Sequence, residues 1–189
     1  MNRGFDIGVN QSYLTYNVKG LDNRLSSEFR LGVFLEKSIG QNFAIKSGIR
    51  LGIKPRTTIY FAGYHGSPQY QYLSTIDETL GKRDHYFMEI PIALVFNWRK
   101  FQAGSGILAR HYFNDARPDD YDFIGGRDET GIYSMLGYKL GDNLKVALEG
   151  YFGISSIIDV YYAPSVVSSG ALLKAKNNFI GLSFGYEFH

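Results

Sequence analysis

The sequence predicts an all-β chain folded as an eight-stranded antiparallel transmembrane β-barrel, with short periplasmic turns and long extracellular loops. Three observations predict it. Hydrophobicity alternates with a period of two along most of the chain. The face opposite the apolar one carries charge and glycine. The connections are short and long by turns, as in outer-membrane barrels. No linker, low-complexity tract or internal repeat divides the 189 residues, so one domain over residues 1–189 is expected.

The alternation is clearest in Phe43–Lys54. Phe43, Ile45, Ser47, Ile49, Leu51 and Ile53 share one face, and Ala44, Lys46, Gly48, Arg50, Gly52 and Lys54 the other. Successive strand side chains point to opposite faces, whereas a helix would mix the two sets around its circumference. Glu28–Glu36, Tyr86–Trp98, Leu144–Ser155 and Ile180–Phe188 repeat the split. Weaker versions in Phe5–Tyr16, Phe101–Phe113 and Ile132–Leu140 bring the count to eight. Most segments reach the 9–11 or so residues that a tilted membrane strand needs, beyond the 5–6 or so of ordinary globular strands.

Ser38–Asn42, Arg99-Lys100 and Gly141–Asn143 have the composition of tight turns. Longer polar segments lie at about Val18–Arg24, Pro55–His85, Asn114–Thr130 and Ser156–Asn177. An even strand number puts both termini on the side of the short turns.

Period-two strands also build soluble barrels, in which the apolar face points inward around a ligand. The charged face carries Asp6, Glu28, Glu36, Glu89, Glu149 and Glu187 against Arg30, Lys46, Arg50, Lys54, Arg110, Lys139 and Lys145. That is six acids against seven bases. A soluble barrel would hold these in water. The same face is rich in glycine, which suits the crowded lumen of a narrow barrel and is not needed on a solvated exterior. Aromatic residues also mark the ends of the apolar stripes. Tyr86, Phe96, Trp98, Phe101, Tyr186 and Phe188 are therefore expected to form interfacial girdles.

Composition narrows the function classes. The net charge of +2 is small and the basic residues are scattered, which argues against nucleic acid. Without cysteine there is no thiolate nucleophile, disulfide framework or cysteine-based metal site. No run approaches the roughly 18–20 apolar residues of a membrane helix. Met1–Asp6 leads into no apolar signal region, so the expectation is a mature chain whose signal has been removed.

Four stretches carry a family resemblance. They are Phe29-Arg30-Leu31-Gly32-Val33-Phe34-Leu35-Glu36, Asn42-Phe43-Ala44-Ile45-Lys46-Ser47-Gly48-Ile49, Tyr86-Phe87-Met88-Glu89-Ile90-Pro91-Ile92-Ala93-Leu94 and the closing Ile180–Phe188. With these the chain resembles the PorT-like small outer-membrane β-barrels of Bacteroidota, related in architecture to OmpA/OmpX-type barrels. The Glu-Ile-Pro strand is the most specific element. The resemblance implies a fold and a location in the bacterial outer membrane, and little about activity. Such barrels end on an aromatic residue. Here His189 follows Phe188, and His189 is expected to belong to an affinity tag.

Eight strands leave an interior wide enough only for side chains. Arg30, Arg50, Glu89, Arg110 and Glu149 are therefore expected to form a structural charge network that plugs the lumen. His111 is expected on the lipid face as an interfacial residue; the alternative is a small barrel enzyme acting on lipid. His65, Ser67 and His85 share the longest loop with Asp77, Glu78 and Asp84, but their spacing specifies no triad. Asp115–Asp122 reads as a solvated turn in preference to a cation site, because it lacks the EF-hand spacing. No catalytic residue, metal or cofactor is expected. Outer-membrane lipid is the expected partner, with lipopolysaccharide phosphates within reach of Lys82, Arg83, Arg117 and Arg127. Other outer-membrane proteins are further expected partners, and a binding site, for protein contact or glycan stacking, is expected on the loop that carries Tyr60, Tyr64, Tyr70 and Tyr72 or on Val160–Ser169. A non-enzymatic structural or interaction role follows, as an accessory subunit of a larger outer-membrane assembly, with a narrow channel as a further alternative.

Overall fold

The computed structural model describes residues 1–16, 25–57, 83–113, 123–124, 128–155, 158–162 and 171–188. Eight long strands form the wall. They are β1 (Asn2–Tyr16), β2 (Ser26–Ser38), β3 (Phe43–Thr57), β4 (Arg83–Trp98), β5 (Phe101–Tyr112), β7 (Asp128–Lys139), β8 (Leu144–Gly153) and β10 (Ala171–Phe188). Each pairs antiparallel with its neighbour, and β1 pairs with β10 from Arg3↔Phe188 to Tyr16↔Ala175, which closes the barrel. Closure removes the unpaired edges that a bilayer would not tolerate. The two shortest strands, β6 (Phe123–Ile124) and β9 (Ile158–Tyr162), lie outside this wall. β9 pairs with the first residues of β10, and β6 pairs with β9.

The alternation fixes the inside and the outside. In β2 the odd-numbered residues from Phe29 to Leu35 are exposed and the even-numbered ones from Glu28 to Glu36 are buried. Leu31, Val33 and Leu136 are each about 60% exposed (59%, 61% and 63%), within a continuous apolar exterior. A water-soluble chain does not present a band of that extent. A 12-residue strand tilted by about 45° spans roughly 28 Å, close to the hydrocarbon thickness. The soluble alternative is thereby inverted: apolar outward, charge inward.

Strand limits differ from the sequence expectation where polar residues sit inside strands. β7 begins at Asp128 and not at Ile132, and β10 begins at Ala171 and not at Ile180. The segment expected as the loop Ser156–Asn177 contains β9 and the start of β10. β3 runs on through Pro55 to Thr57, where the register with β4 shifts between Lys54 and Thr57. A bulge is one of the few places where a strand accepts proline. Pro91 lies within β4, and the β3–β4 pairing steps from Ser47↔Ile92 to Arg50↔Glu89 around it without changing register. β8 ends where the Asn178 side chain accepts a hydrogen bond from the Gly153 amide at 3.2 Å.

Candidate functional site

The lumen holds the densest chemistry among the described residues. A single register row winds around the wall through Lys145, Gly185, Asp6, Gly32, Arg50, Glu89, Arg110 and Glu129. Asp6 and Arg50 stand on strands that are not neighbours, and Gly32 lies between them. Glycine is needed there because an added Cβ would strike the Arg50 side chain. With the space clear, Arg50 Nη2 reaches Asp6 Oδ2 at 2.7 Å.

Two arginine forks organise the carboxylates. Arg50 holds Asp6 and also Glu149 across the lumen, the latter at 3.0 Å. Glu149 also receives Arg30 at 2.6 Å and the Ser183 hydroxyl at 2.6 Å. Arg110 meets Glu28 at 3.0 Å, Glu129 at 3.2 Å, and Glu89. The planar guanidinium suits this work because its donors diverge in a fixed fork. Lys54 adds a contact to Glu28 at 3.4 Å. Nearer the short turns, Lys145 binds Glu187 at 2.8 Å and lies 3.8 Å from Glu36.

Aromatic rings fill the space between the charges. Arg110 sits 4.2 Å from the centre of the Phe87 ring, and Lys145 sits 3.9 Å from that of Phe34. Tyr151 and Phe179 stack at 5.2 Å. Arg50, Glu89, Arg110 and Glu149 are at most 1% exposed. A water-filled channel would leave such lining groups accessible, whereas here they cover one another.

All five sequence-predicted network residues, Arg30, Arg50, Glu89, Arg110 and Glu149, lie in this interior and are linked by ion pairs. Glu129, outside the expected strand, enters as the seventh buried acid among the described residues, against the seven bases of that face, of which Lys139 is half-buried. The interior aromatics Phe87, Tyr133, Tyr151 and Phe179 were not singled out in the sequence, although each occupies a lumen-facing position.

The predicted girdle residues divide between the two ends. Phe96, Trp98, Phe101, Tyr186 and Phe188 lie near the short turns. Trp98 stacks with Phe101 at 6.2 Å, Phe101 meets Tyr138 edge-on at 5.0 Å, and Phe5 stacks with Tyr186 at 5.7 Å. Tyr86 lies at the opposite end of the wall, with Phe113. His111 also stands there on the outer wall, its Nδ1 2.7 Å from Asp128 Oδ1. Its register partners, Met88 and Asp128, supply neither hydroxyl nor thiol. Tyr60, Tyr64, Tyr70, Tyr72, His65, Ser67, Asp77, Glu78, Lys82, Arg117 and Arg127 lie outside the described residues, as does Asp115–Asp122. Among the described residues no group of three or more His, Asp or Glu is placed to hold a metal ion.

No family model and no curated protein matches the chain. Several solved structures are similar in shape. The attachment invasion locus protein Ail of Yersinia pestis is 13% identical, with 99% of this chain and 98% of that one covered and a TM-score of 0.44. Neisserial surface protein A is 8% identical, with 98% and 97% covered and a TM-score of 0.48. The N-terminal β-barrel domain of Pseudomonas aeruginosa OprF is 11% identical, with 97% of each chain covered and a TM-score of 0.40.

Proposed function

We propose that this chain is a non-enzymatic barrel of a bacterial outer membrane, with a structural or interaction role. The reading takes the short turns as periplasmic and the long segments as extracellular. Its finer form is an accessory subunit of a larger outer-membrane assembly, akin to the PorT-like barrels. Outer-membrane lipid, lipopolysaccharide and other outer-membrane proteins are its partners. One observation carries it: a closed wall without free edges, apolar outside and ionically cross-linked inside. That inversion of polarity is the one a bilayer selects.

The test has two parts. The chain should require detergent for solubility and migrate differently on gels before and after boiling. A native-membrane pull-down should then recover other outer-membrane proteins with it. A folded, monomeric chain in detergent-free buffer would overturn the membrane reading. A barrel recovered alone would overturn the subunit role.

A further inference from the structure

The outer wall is not uniformly greasy. Ser105 of β5, Ser134 of β7 and Gly150 of β8 are direct cross-strand neighbours, and all three point outward. Larger residues flank them along the same row, Leu94 on one side and Ile180 on the other. The next row away from the short turns is bulky throughout, with Ile107, Ile132 and Phe152. The result is a trough of about 580 Å³ in the membrane-facing wall, bordered toward the short turns by Phe43 and Phe96 on one side and by Leu136 and Leu148 on the other, with the small Ala103 between them.

Positive charge stands at the foot of this trough. The β4–β5 turn consists of Arg99 and Lys100, both exposed, and the Lys100 carbonyl accepts the amide of Lys139 on the adjoining strand. Ala103, which lines the trough, is three residues along β5 from Lys100, or roughly 10 Å. Lys139 is shared with the buried Glu187 at 3.8 Å, while Arg99 leans over the Trp98 ring at 5.3 Å. That ring belongs to the girdle, so this guanidinium lies at the depth of the headgroups. Arg99 also adopts a φ of 53°, a left-handed conformation more usual for glycine or asparagine.

We propose that this trough and the basic turn below it form a binding site for one anionic phospholipid of the inner leaflet. An acyl chain lies over Ala103, Ser105, Ser134 and Gly150, and the headgroup phosphate meets Arg99 and Lys100. The inference rests on the membrane reading above and on the short turns being periplasmic. A second copy of the chain is a poor occupant. It would set one concavity against another and bring two basic turns together. A lipid supplies both the flexible apolar body that a shallow trough needs and the negative charge.

The experiment uses the full chain in nanodiscs of mixed phosphatidylethanolamine and phosphatidylglycerol, read by native mass spectrometry of the released barrel. One phosphatidylglycerol per barrel should be retained, enriched over its share of the disc. Each basic residue at an anionic membrane surface contributes roughly a fivefold preference. The double variant R99Q/K100Q should therefore reduce the enrichment towards the bulk ratio. The variant S105L/S134L fills the trough and keeps the charges; it should lose the retained lipid altogether. The boiling-dependent gel shift shows that each variant has folded. Retention in bulk proportion by the wild type, equal enrichment in all three proteins, or two barrels per particle in place of a bound lipid would overturn the proposal. Failure of the wild type to enter the disc would overturn the membrane reading beneath it.

Discussion

At the scale of single residues, Arg110 carries the most consequence. Its guanidinium is the common partner of Glu28, Glu89 and Glu129, all fully or almost fully buried. Removing it leaves three carboxylates facing one another away from water. Arg110→Met should destabilise the barrel by about 3–5 kcal/mol, the range for stripping one partner from a buried ionic cluster. Arg110→Lys should recover only part of this, because an ammonium lacks the fork that reaches three acceptors. Urea unfolding in detergent micelles checks both. Gly32 makes a complementary case. Gly32→Val would place carbon where the Arg50 side chain passes to reach Asp6. It should cost about 1–3 kcal/mol by overpacking. If this loss comes from the displaced Arg50–Asp6 contact, it should be smaller in an Asp6→Asn background, as a double-mutant cycle would show.

At the scale of elements, the sequence was legible where burial alternates and illegible where pairing decides. Residue by residue, Glu28–Glu36 and Phe43–Lys54 announce which side chains face in, because period two is a local property. Register is not local. Nothing in the order of residues says that Asp6, Gly32 and Arg50 share one row, since three strands must first be aligned. Glu129 was missed for a related reason. Asp128-Glu129-Thr130-Gly131 has a loop's composition, yet Arg110 on β5 supplies the partner that lets Glu129 be buried in a strand. Asn177-Asn178 likewise resembles a turn and lies inside β10. The His111–Asp128 pair is the exposed counterpart on the same two strands, with side chains 38% and 80% accessible. Such a pair gains little in stability. Asp128→Asn should change it by less than about 1 kcal/mol, against the several expected for Arg110→Met. A comparable loss for the two variants would mean that the end of the β5–β7 ladder is held by this contact.

At the scale of the whole molecule, the interior combines two ways of filling a narrow barrel. Ion pairs cross the lumen from Arg50 and Arg30 to Glu149 and from Arg110 to Glu28, tying together strands that are not neighbours in the wall. Rings and aliphatic groups occupy the remaining volume, with Tyr133, Leu108, Met135 and Val95 at 2% exposure or less. A path wide enough for hydrated ions would have to displace several of these groups together. Each displacement would uncover a charge whose partner lies on another strand. The barrel should therefore carry no steady ionic current across a planar bilayer. Shortening one ring, as in Tyr133→Ala, should leave it closed, because the arginine forks still cross the lumen. The double variant Arg50→Ala/Glu149→Ala removes a crossing pair together; Arg30 keeps Glu89 at 3.8 Å, Asp6 loses its Arg50 partner, and volume opens beside Tyr133, whose ring lies 5.7 Å from the Arg50 guanidinium. That variant is the one expected to conduct. Steady current through the unaltered protein would show instead that the ionic network opens as a gate and is not a fixed plug.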